Sequence, residues 1–361
     1  ERSCKLWRTA SQDKCDSAWK SAYLNEFEPE SAIDACIAMA GDSTHWKARA
    51  KARSAVEANW FEGSFLRRHV TASSDGVQIL SRLNQLVYAD RDELVLRSLS
   101  DLKEVGRIEL PDTVIFNQRE QFCLRVDEQP QRTLIAVGCS DDHAHVFDAA
   151  TGERVGKKDA QYYRSELVSV DVRAPNSLLL LGRYGDVDVY NLNTGECKTA
   201  TWDAQFEPLL FCNAYFGETT NDIVLEDSSS ISLYRFAVPA LQEVQSLSGL
   251  HGAMWLDPAR KQLLAARNRG LASLGATLCK WDDFAASNVA LRSRRRVAMY
   301  ATQSGDVQLL DMQTLRGSLF STETNGAILV RANWRVLLLL APIAGGLFLF
   351  DFAPAVSVSR A

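Results

Sequence analysis

The chain has 361 residues, of which 46% are hydrophobic and 24% are charged, a composition that is ordinary for a globular protein and argues against disorder. Forty basic and forty-five acidic side chains give a formal charge of −5, so the chain lacks the basic excess of proteins that bind nucleic acid through its phosphates. The eight cysteines are scattered without a Cys-x-x-Cys pair, which argues against a zinc site or a disulfide framework and predicts a reducing compartment, cytosol or nucleus.

The first 62 residues are rich in tryptophan, alanine and basic residues and poor in turn formers, which favours helices. A helix is predicted from His45 to Trp60, with Trp46/Ala50 and Val56/Trp60 as i,i+4 pairs on an apolar stripe. We therefore predict a small α-helical N-terminal segment over residues 1–62, followed by a separate domain over residues 63–361.

From residue 63 onward a unit recurs seven times: an apolar run, a polar or glycine-bearing turn, and an alternating run that closes on a polar residue. The clearest copies are 134–148 (LIAVGCSDDHAHVFD) and 178–191 (LLLLGRYGDVDVYN); the others are 86–98, 223–235, 263–275, 297–311 and 337–351. Their last residues are 36 to 50 apart, near the roughly 40–45 residues of a propeller blade. The run 178–181 suits a middle strand that is covered on both faces, whereas 187–190 alternates like a strand with one less covered face. The repeats predict an all-β, seven-bladed β-propeller.

Two further segments bear on how the propeller is completed. Phe65–Thr71 directly precedes the first repeat and is placed to close the ring by pairing with Phe348–Phe352. The apolar stretch 336–350 (VLLLLAPIAGGLFLF) is shorter than the roughly 20 residues that cross a bilayer, and it is broken by proline and glycine. We predict two buried strands joined by a turn there, and no membrane partner.

The repeats resemble the WD-repeat family, with Phe147-Asp148 and Tyr190-Asn191 standing in place of its Trp-Asp pairs. Ahead of them, residues 3–8 (SCKLWR) and 17–20 (SAWK) look like the C-terminal half of an F-box, and 59–63 (NWFEG) looks like the end of the linker helix in F-box/WD-repeat proteins. The resemblance implies a substrate-recognition subunit of an SCF-type (cullin) E3 ubiquitin ligase. It implies that a Skp-type adaptor, and through it the cullin complex, is bound by Cys4, Leu6, Trp7, Trp19 and Tyr23.

No catalytic, metal or cofactor site is predicted. The sequence holds no Walker-type phosphate loop, no Gly-x-Ser-x-Gly and no His-Glu-x-x-His, so we predict that the protein is not an enzyme. His143 and His145 lie two apart on one strand face, but no third ligand follows at a suitable spacing. This favours a surface or groove position for the two histidines over a metal site.

Binding is a better prospect, because WD-type blades open two sets of loops on one shared face. These are the turn between the two middle strands and the loop leading into each first strand, and six of their positions hold Arg91, Arg119, Arg164, Arg183, Arg267 and Arg269. Guanidinium groups bind phosphate in bidentate fashion, so this predicted substrate site would suit a phosphorylated protein. The alternative is that they are ordinary loop arginines in surface pairs, which contribute little energy.

Two functions of different classes therefore remain open. The first is the substrate receptor of an SCF-type ligase, and the second is a non-catalytic WD-repeat scaffold for a multiprotein assembly. The chain begins at Glu1 rather than Met, which is compatible with a fragment. A Leu-Pro-containing helix upstream of Glu1 would favour the ligase, and an unrelated start would favour the scaffold.

Overall fold

The fold is a ring of seven four-stranded antiparallel sheets, here called blades 1 to 7, preceded by a helix. Neighbouring blades contact one another around a central channel, most of them through their first strands. The computed structural model describes Trp19 and residues 46–71, 76–90, 92–110, 123–129, 132–138, 143–159, 167–173, 175–182, 185–202, 213–217, 219–226, 230–248, 254–257, 262–267, 270–273, 276–280, 288–293, 296–301, 305–311, 317–324, 328–332, 336–341 and 346–353.

The elements follow the chain, and blades 1 to 6 are each built from the inside outward. Helix α1 (Trp46–Glu62) and strand β1 (Leu66–Thr71) come first; blade 1 contains β2 (Val77–Leu80), β3 (Gln85–Asp90), β4 (Glu93–Ser98) and β5 (Glu104–Glu109); blade 2 contains β6 (Cys123–Gln129), β7 (Arg132–Gly138), β8 (His143–Asp148) and β9 (Arg154–Asp159). Blade 3 contains β10 (Leu167–Arg173), β11 (Ser177–Gly182), β12 (Asp186–Asn191) and β13 (Cys197–Thr201); blade 4 contains β14 (Asn213–Phe216), β15 (Asp222–Glu226), β16 (Ser230–Arg235) and β17 (Gln242–Ser248). Blade 5 contains β18 (Met254–Asp257), β19 (Gln262–Arg267), β20 (Gly270–Ser273) and β21 (Ala276–Lys280); blade 6 contains β22 (Asn288–Ser293), β23 (Arg296–Ala301), β24 (Asp306–Asp311) and β25 (Gly317–Ser321); blade 7 contains β26 (Ile328–Ala332), β27 (Val336–Ala341) and β28 (Gly346–Asp351).

Each of the seven predicted repeats is the hairpin of the two middle strands of one blade, so the predicted all-β propeller is confirmed. The apolar runs of blades 1 to 4 and of blade 7 are buried, because a neighbouring blade covers each face of a middle strand; Leu178 to Leu181, for example, are all fully buried. The expectation that β12 has one less covered face is wrong at Asp188, which is only 2% exposed. The Tyr190 hydroxyl donates a hydrogen bond to Asp188 Oδ2 at 3.2 Å, so this face is also packed.

The ring closes as predicted, with a strand from the start of the chain completing the last blade. Strand β1 pairs antiparallel with β28, from Leu66 opposite Asp351 to Thr71 opposite Gly346. Strand β26, the first strand of blade 7, lies against β2 of blade 1, so the two ends of the propeller meet. The apolar stretch 336–350 forms β27 and β28, which confirms two buried strands, and no described helix is long and apolar enough to span a membrane.

The outermost strands of four blades each contain one extra residue. The pairing with the neighbouring strand skips Val105 in β5, Val155 in β9, Val244 in β17 and Leu278 in β21. Bulges of this kind bend a strand and interrupt its regular hydrogen-bonding edge. They therefore make the open edge of the blade a poorer template for pairing with another chain.

The residue that closes a repeat also caps the turn into the outermost strand. Asp148 Oδ1 accepts hydrogen bonds from the amides of Ala150 (2.9 Å) and Thr151 (3.3 Å), and Asn191 Oδ1 accepts the equivalent pair in blade 3. Arg132 Nε lies 2.8 Å from Asp148 Oδ2. Burial alone would raise the pKa of Asp148, but the bonds from Arg132 and the two amides hold that pKa below its usual value.

Loss of this cap is expected to be measurable. Asp148→Ala should lower the free energy of unfolding by about 1–2 kcal/mol, because two turn amides and the Arg132 guanidinium lose their acceptor. Asp148→Asn is the matched control, since an amide oxygen can still accept both turn bonds, as Asn191 does. Urea unfolding of the three proteins checks this, and equal losses for the two variants would show that the turn bonds contribute nothing.

Helix α1 is attached to blades 6 and 7 by an aromatic junction, formed by Trp60, Phe65, Phe320, Phe350 and Phe352. The Trp60 ring stacks on Phe352 with centroids 3.7 Å apart and meets Phe320 edge-on at 6.2 Å. Gly63 directly follows the last residue of the helix, and its φ of 68° and its closeness to Phe320 (2.6 Å from a Cβ placed there) leave no room for a side chain. The predicted helix and its buried Ala50, Val56 and Trp60 are thus confirmed.

Candidate functional site

The predicted adaptor-binding set falls largely outside the described residues. Cys4, Leu6, Trp7 and Tyr23 lie there, and the structure describes Trp19 alone, which is buried with 7% of its surface exposed. Further along the same segment, Asn59 Nδ2 donates a hydrogen bond to the Phe352 carbonyl at 2.9 Å, beside the aromatic junction. The adaptor set stays a prediction, and the segment that carries it ends in a helix held against the propeller.

The predicted substrate-binding arginines flank strand ends that share one face of the ring. Because strands alternate in direction within a blade, the middle-strand turn and the connection into the first strand lie at the same end of each sheet, here called the upper face. Arg267 is the last residue of β19 and pairs with Gly270 of β20, next to such a turn. The other five lie outside the described residues: Arg91, Arg119, Arg164, Arg183 and Arg269. The set remains a prediction.

The described residues contain a different polar site, on the first strands of blades 2 to 4 and the second strand of blade 4. We call it the channel cluster, and it consists of Arg125, Asp171, Asn213, Tyr215 and Glu226. The Arg125 guanidinium reaches from blade 2 to blade 4, where Nη2 donates to Asn213 Oδ1 at 3.0 Å and the group lies 5.0 Å from the Tyr215 ring centre. The Tyr215 hydroxyl donates to Glu226 Oε2 at 2.9 Å. Blades 2 and 4 therefore share one hydrogen-bonded network, and the charge of Asp171 in blade 3 interacts with that of Arg125.

The electrostatics of the channel cluster follow from burial and mixed charge. Burial alone would lower the pKa of Arg125, but the nearby groups, including Tyr215, Asp171 and Glu226, hold it above its ordinary value. Burial is the main reason why the pKa of Tyr215 is raised. Burial also raises the pKa of Asp171 to about 6, although the hydrogen bond from the Phe216 amide and the charge of Arg125 both lower it. Asp171 thus titrates near neutral pH while Arg125 stays charged.

The channel cluster lies toward the upper face. Asn213 is the first residue of β14, which enters from that face, and Glu226 is the last residue of β15, which runs up to it. The strands β6 and β10, which carry Arg125 and Asp171, follow the loops that hold Arg119 and Arg164. The arrangement supplies fixed hydrogen-bond donors, acceptors and charges below the predicted substrate site, and it suits polar recognition.

Sequence reasoning missed the channel cluster because it considered the turns and loops alone. The signal was present in the alternating charges of two first strands, Arg125 and Asp127 in β6 and Asp171 and Arg173 in β10. The surface or groove position expected for His145 is wrong, since that side chain is fully buried, with its ring 6.4 Å from Phe147. Within the described part of the chain, no three His, Cys, Asp or Glu side chains are grouped as metal ligands would be.

Comparison with known proteins supports the fold and leaves the family open. No protein-family model matches the chain, and no curated protein matches it. Among solved structures, the chain is similar to the β-propeller domain of Cps50 (Swd1) from Myceliophteria thermophila, with a TM-score of 0.59 and 10% sequence identity. The similarity covers 79% of this chain and 98% of that one. At this identity the likeness shows the fold alone, and the chain is an all-β, seven-bladed propeller.

Proposed function

We propose that this chain is a non-catalytic protein-binding subunit of the cytosol or nucleus and, more specifically, the substrate-recognition subunit of an SCF-type E3 ubiquitin ligase. The observation that carries the proposal is the aromatic junction, which holds the end of the F-box-like segment against the propeller. Trp60 is fully buried between that segment and blades 6 and 7. A receptor needs such a connection because it must hold its substrate at a defined distance from the adaptor.

In this proposal the two ends of the molecule have separate tasks. Residues 1–62 bind a Skp-type adaptor, and the upper face of the propeller binds the substrate protein through the loop arginines above the channel cluster. Arg125 and Glu226 give that region charges of both signs, which suits a polar segment of a protein partner. The protein itself performs no chemistry; it brings a substrate lysine close to an enzyme that is bound elsewhere in the ligase.

The test is adaptor binding by the full-length natural protein, purified and mixed with a Skp-type adaptor. Trp7→Ala is expected to weaken binding by at least about 30-fold, the usual effect of truncating a central tryptophan at an interface. Phe61→Ala is the matched control, since Phe61 is an exposed aromatic residue of α1 (37%) outside the predicted adaptor set. Calorimetric titration gives the affinities, and circular dichroism checks that each variant is folded.

Two results would contradict the ligase proposal. One is a folded full-length protein that does not bind the adaptor at all, and the other is equal binding by wild type, Trp7→Ala and Trp19→Ala. Either result would leave the propeller as a protein-binding domain and would favour a scaffold in another assembly.

A further inference from the structure

Strand β1 is the outermost strand of blade 7, and its outer edge is regular and open. Its pairing with β28 runs from Leu66 to Thr71 without a skipped residue. Leu66, Arg67 and His69 are exposed, and among the described residues the backbone of 66–69 is hydrogen-bonded to no strand other than β28. Such an edge presents unpaired amides and carbonyls, so it can accept a further strand.

The outer edges of the other six blades are interrupted or occupied. Bulges interrupt β5, β9, β17 and β21. In blade 3 the last residue of β13 is tied to blade 4, since the Thr201 amide donates to the Pro239 carbonyl at 2.8 Å and the Thr201 carbonyl accepts from the Leu241 amide at 3.3 Å. In blade 6, helix α1 packs beside β25. Within the part of the chain that the structure describes, β1 is therefore the outer strand best suited to pair with another chain.

The side chains of β1 give this edge a basic face. The Arg67 guanidinium lies 4.5 Å from the centre of the Phe348 ring, and the His69 ring lies 4.8 Å from it, so one aromatic side chain positions both groups. Neither Arg67 nor His69 forms an ion pair with another described residue. On the opposite face, Arg68 is already engaged, because its Nη1 donates to the Leu99 carbonyl at 2.8 Å. Arg67 and His69 are thus the polar groups that this edge offers to a partner.

We propose that the edge of β1 binds an extended, acidic segment of a partner protein, which adds to blade 7 as a fifth strand. The backbone bonds of such an added strand supply affinity, and its alternate side chains supply specificity. Acidic residues at every second position would face Arg67 and His69, because opposite charges across neighbouring strands stabilise a pair. A second copy of this chain fits less well, since β1 against β1 brings basic side chains together, and like charges destabilise a pair.

The first experiment measures binding of a synthetic peptide to the full chain by fluorescence anisotropy. The probe is a labelled hexapeptide of alternating Glu and Val, and the same peptide with Lys in place of Glu is its counterpart. We expect Arg67→Glu to weaken binding of the acidic peptide by at least about 5-fold and to strengthen binding of the basic one. Lys198→Glu is the matched control, because it makes the same change of charge at an exposed position of another outer strand, β13, and should leave both affinities unchanged.

Two outcomes of this titration would overturn the proposal. One is equal binding of the acidic peptide by wild type and Arg67→Glu. The other is no binding by wild type at peptide concentrations up to about 1 mM, which would mean that the basic side chains only protect the edge from pairing.

A second probe separates strand addition from attraction between charges. The acidic peptide methylated at every amide nitrogen keeps its carboxylates but cannot donate backbone hydrogen bonds, so we expect it to bind at least about 10-fold more weakly. Equal binding of the methylated and unmodified peptides would overturn strand addition.

Analytical ultracentrifugation tests the rival occupant of the edge. A wild-type dimer that Arg67→Glu dissociates would assign the edge to a second copy and overturn the proposal, whereas a monomer supports it. None of these measurements involves the adaptor or the upper face. Their failure is therefore distinguishable from failure of the proposed ligase function, and either can hold without the other.

Discussion

Replacing Trp60 with alanine is expected to lower the free energy of unfolding by about 3–5 kcal/mol, the range for removing a buried aromatic side chain. Trp60 is fully buried and stacks on Phe352, with Phe320 at its edge. The remaining side chains cannot easily fill the cavity, because its other walls are residues of β24, β27 and β28 such as Leu309, which belong to the blades themselves. The loss should therefore lie near the upper end of the range.

The matched control is Phe61→Ala, which removes an aromatic ring one position further along the same helix. Phe61 is 37% exposed, so its loss should change the free energy of unfolding by less than about 1 kcal/mol. Denaturant unfolding followed by tryptophan fluorescence would be complicated by the loss of Trp60, so far-ultraviolet circular dichroism is the better probe. A Trp60→Ala protein within about 1 kcal/mol of wild type would show that the aromatic junction does not stabilise the fold.

The architecture could be predicted from the sequence because every blade places the same requirements on its two middle strands. A middle strand that is covered by blades on both faces needs a continuous apolar run, and the strand after it must close on a residue that can cap a turn. Leu178 to Leu181 followed by Asn191, and the equivalent residues of blade 2, meet both needs. The closing strand β1 followed from topology, since a closed ring leaves β28 without an outer neighbour.

The burial of individual polar residues could not be predicted in the same way. Alternation of polar and apolar residues distinguishes the two faces of a strand, but it does not indicate what covers each face. Asp188 and His145 are polar residues on alternating strands, and both are buried. The channel cluster depends on contacts between residues as far apart as Arg125 and Asn213, which no local pattern reveals.

Prediction from sequence has the same limit for the binding residues of the upper face. The strand ends beside Arg91, Arg183 and Arg269 lie on one face because of the antiparallel topology, and the repeat pattern was sufficient to predict that. Whether the guanidinium groups converge depends on loop conformation, which spacing does not determine. The substrate-binding set therefore stays a prediction, whereas the cluster below it is defined by hydrogen bonds between Arg125, Asn213, Tyr215 and Glu226.

Gly185 is the second position at which a single substitution should have a large effect. It follows the middle-strand turn of blade 3, with a φ of 87°, and its carbonyl accepts a hydrogen bond from the Trp202 amide at 2.7 Å. A Cβ at this position would lie 2.6 Å from the Trp202 carbonyl oxygen, which is backbone and cannot rotate away. Gly185→Ala must therefore adopt a left-handed conformation and also separate β12 from the end of β13.

The left-handed conformation alone costs a non-glycine residue about 1–2 kcal/mol, and the displaced backbone adds to it, so we expect Gly185→Ala to lower the free energy of unfolding by about 2–4 kcal/mol. Gly106→Ala is the matched control, because no atom lies within 4 Å of a Cβ placed there. That substitution should be neutral or stabilising by up to about 1 kcal/mol, since alanine restricts the unfolded chain. Urea unfolding of both variants measures the contrast, and equal stabilities would mean that the backbone at Gly185 can relax without disturbing blade 3. A large loss confined to Gly185→Ala would instead show that the turn on the upper face is held rigidly by Trp202, as a loop that presents binding residues needs to be.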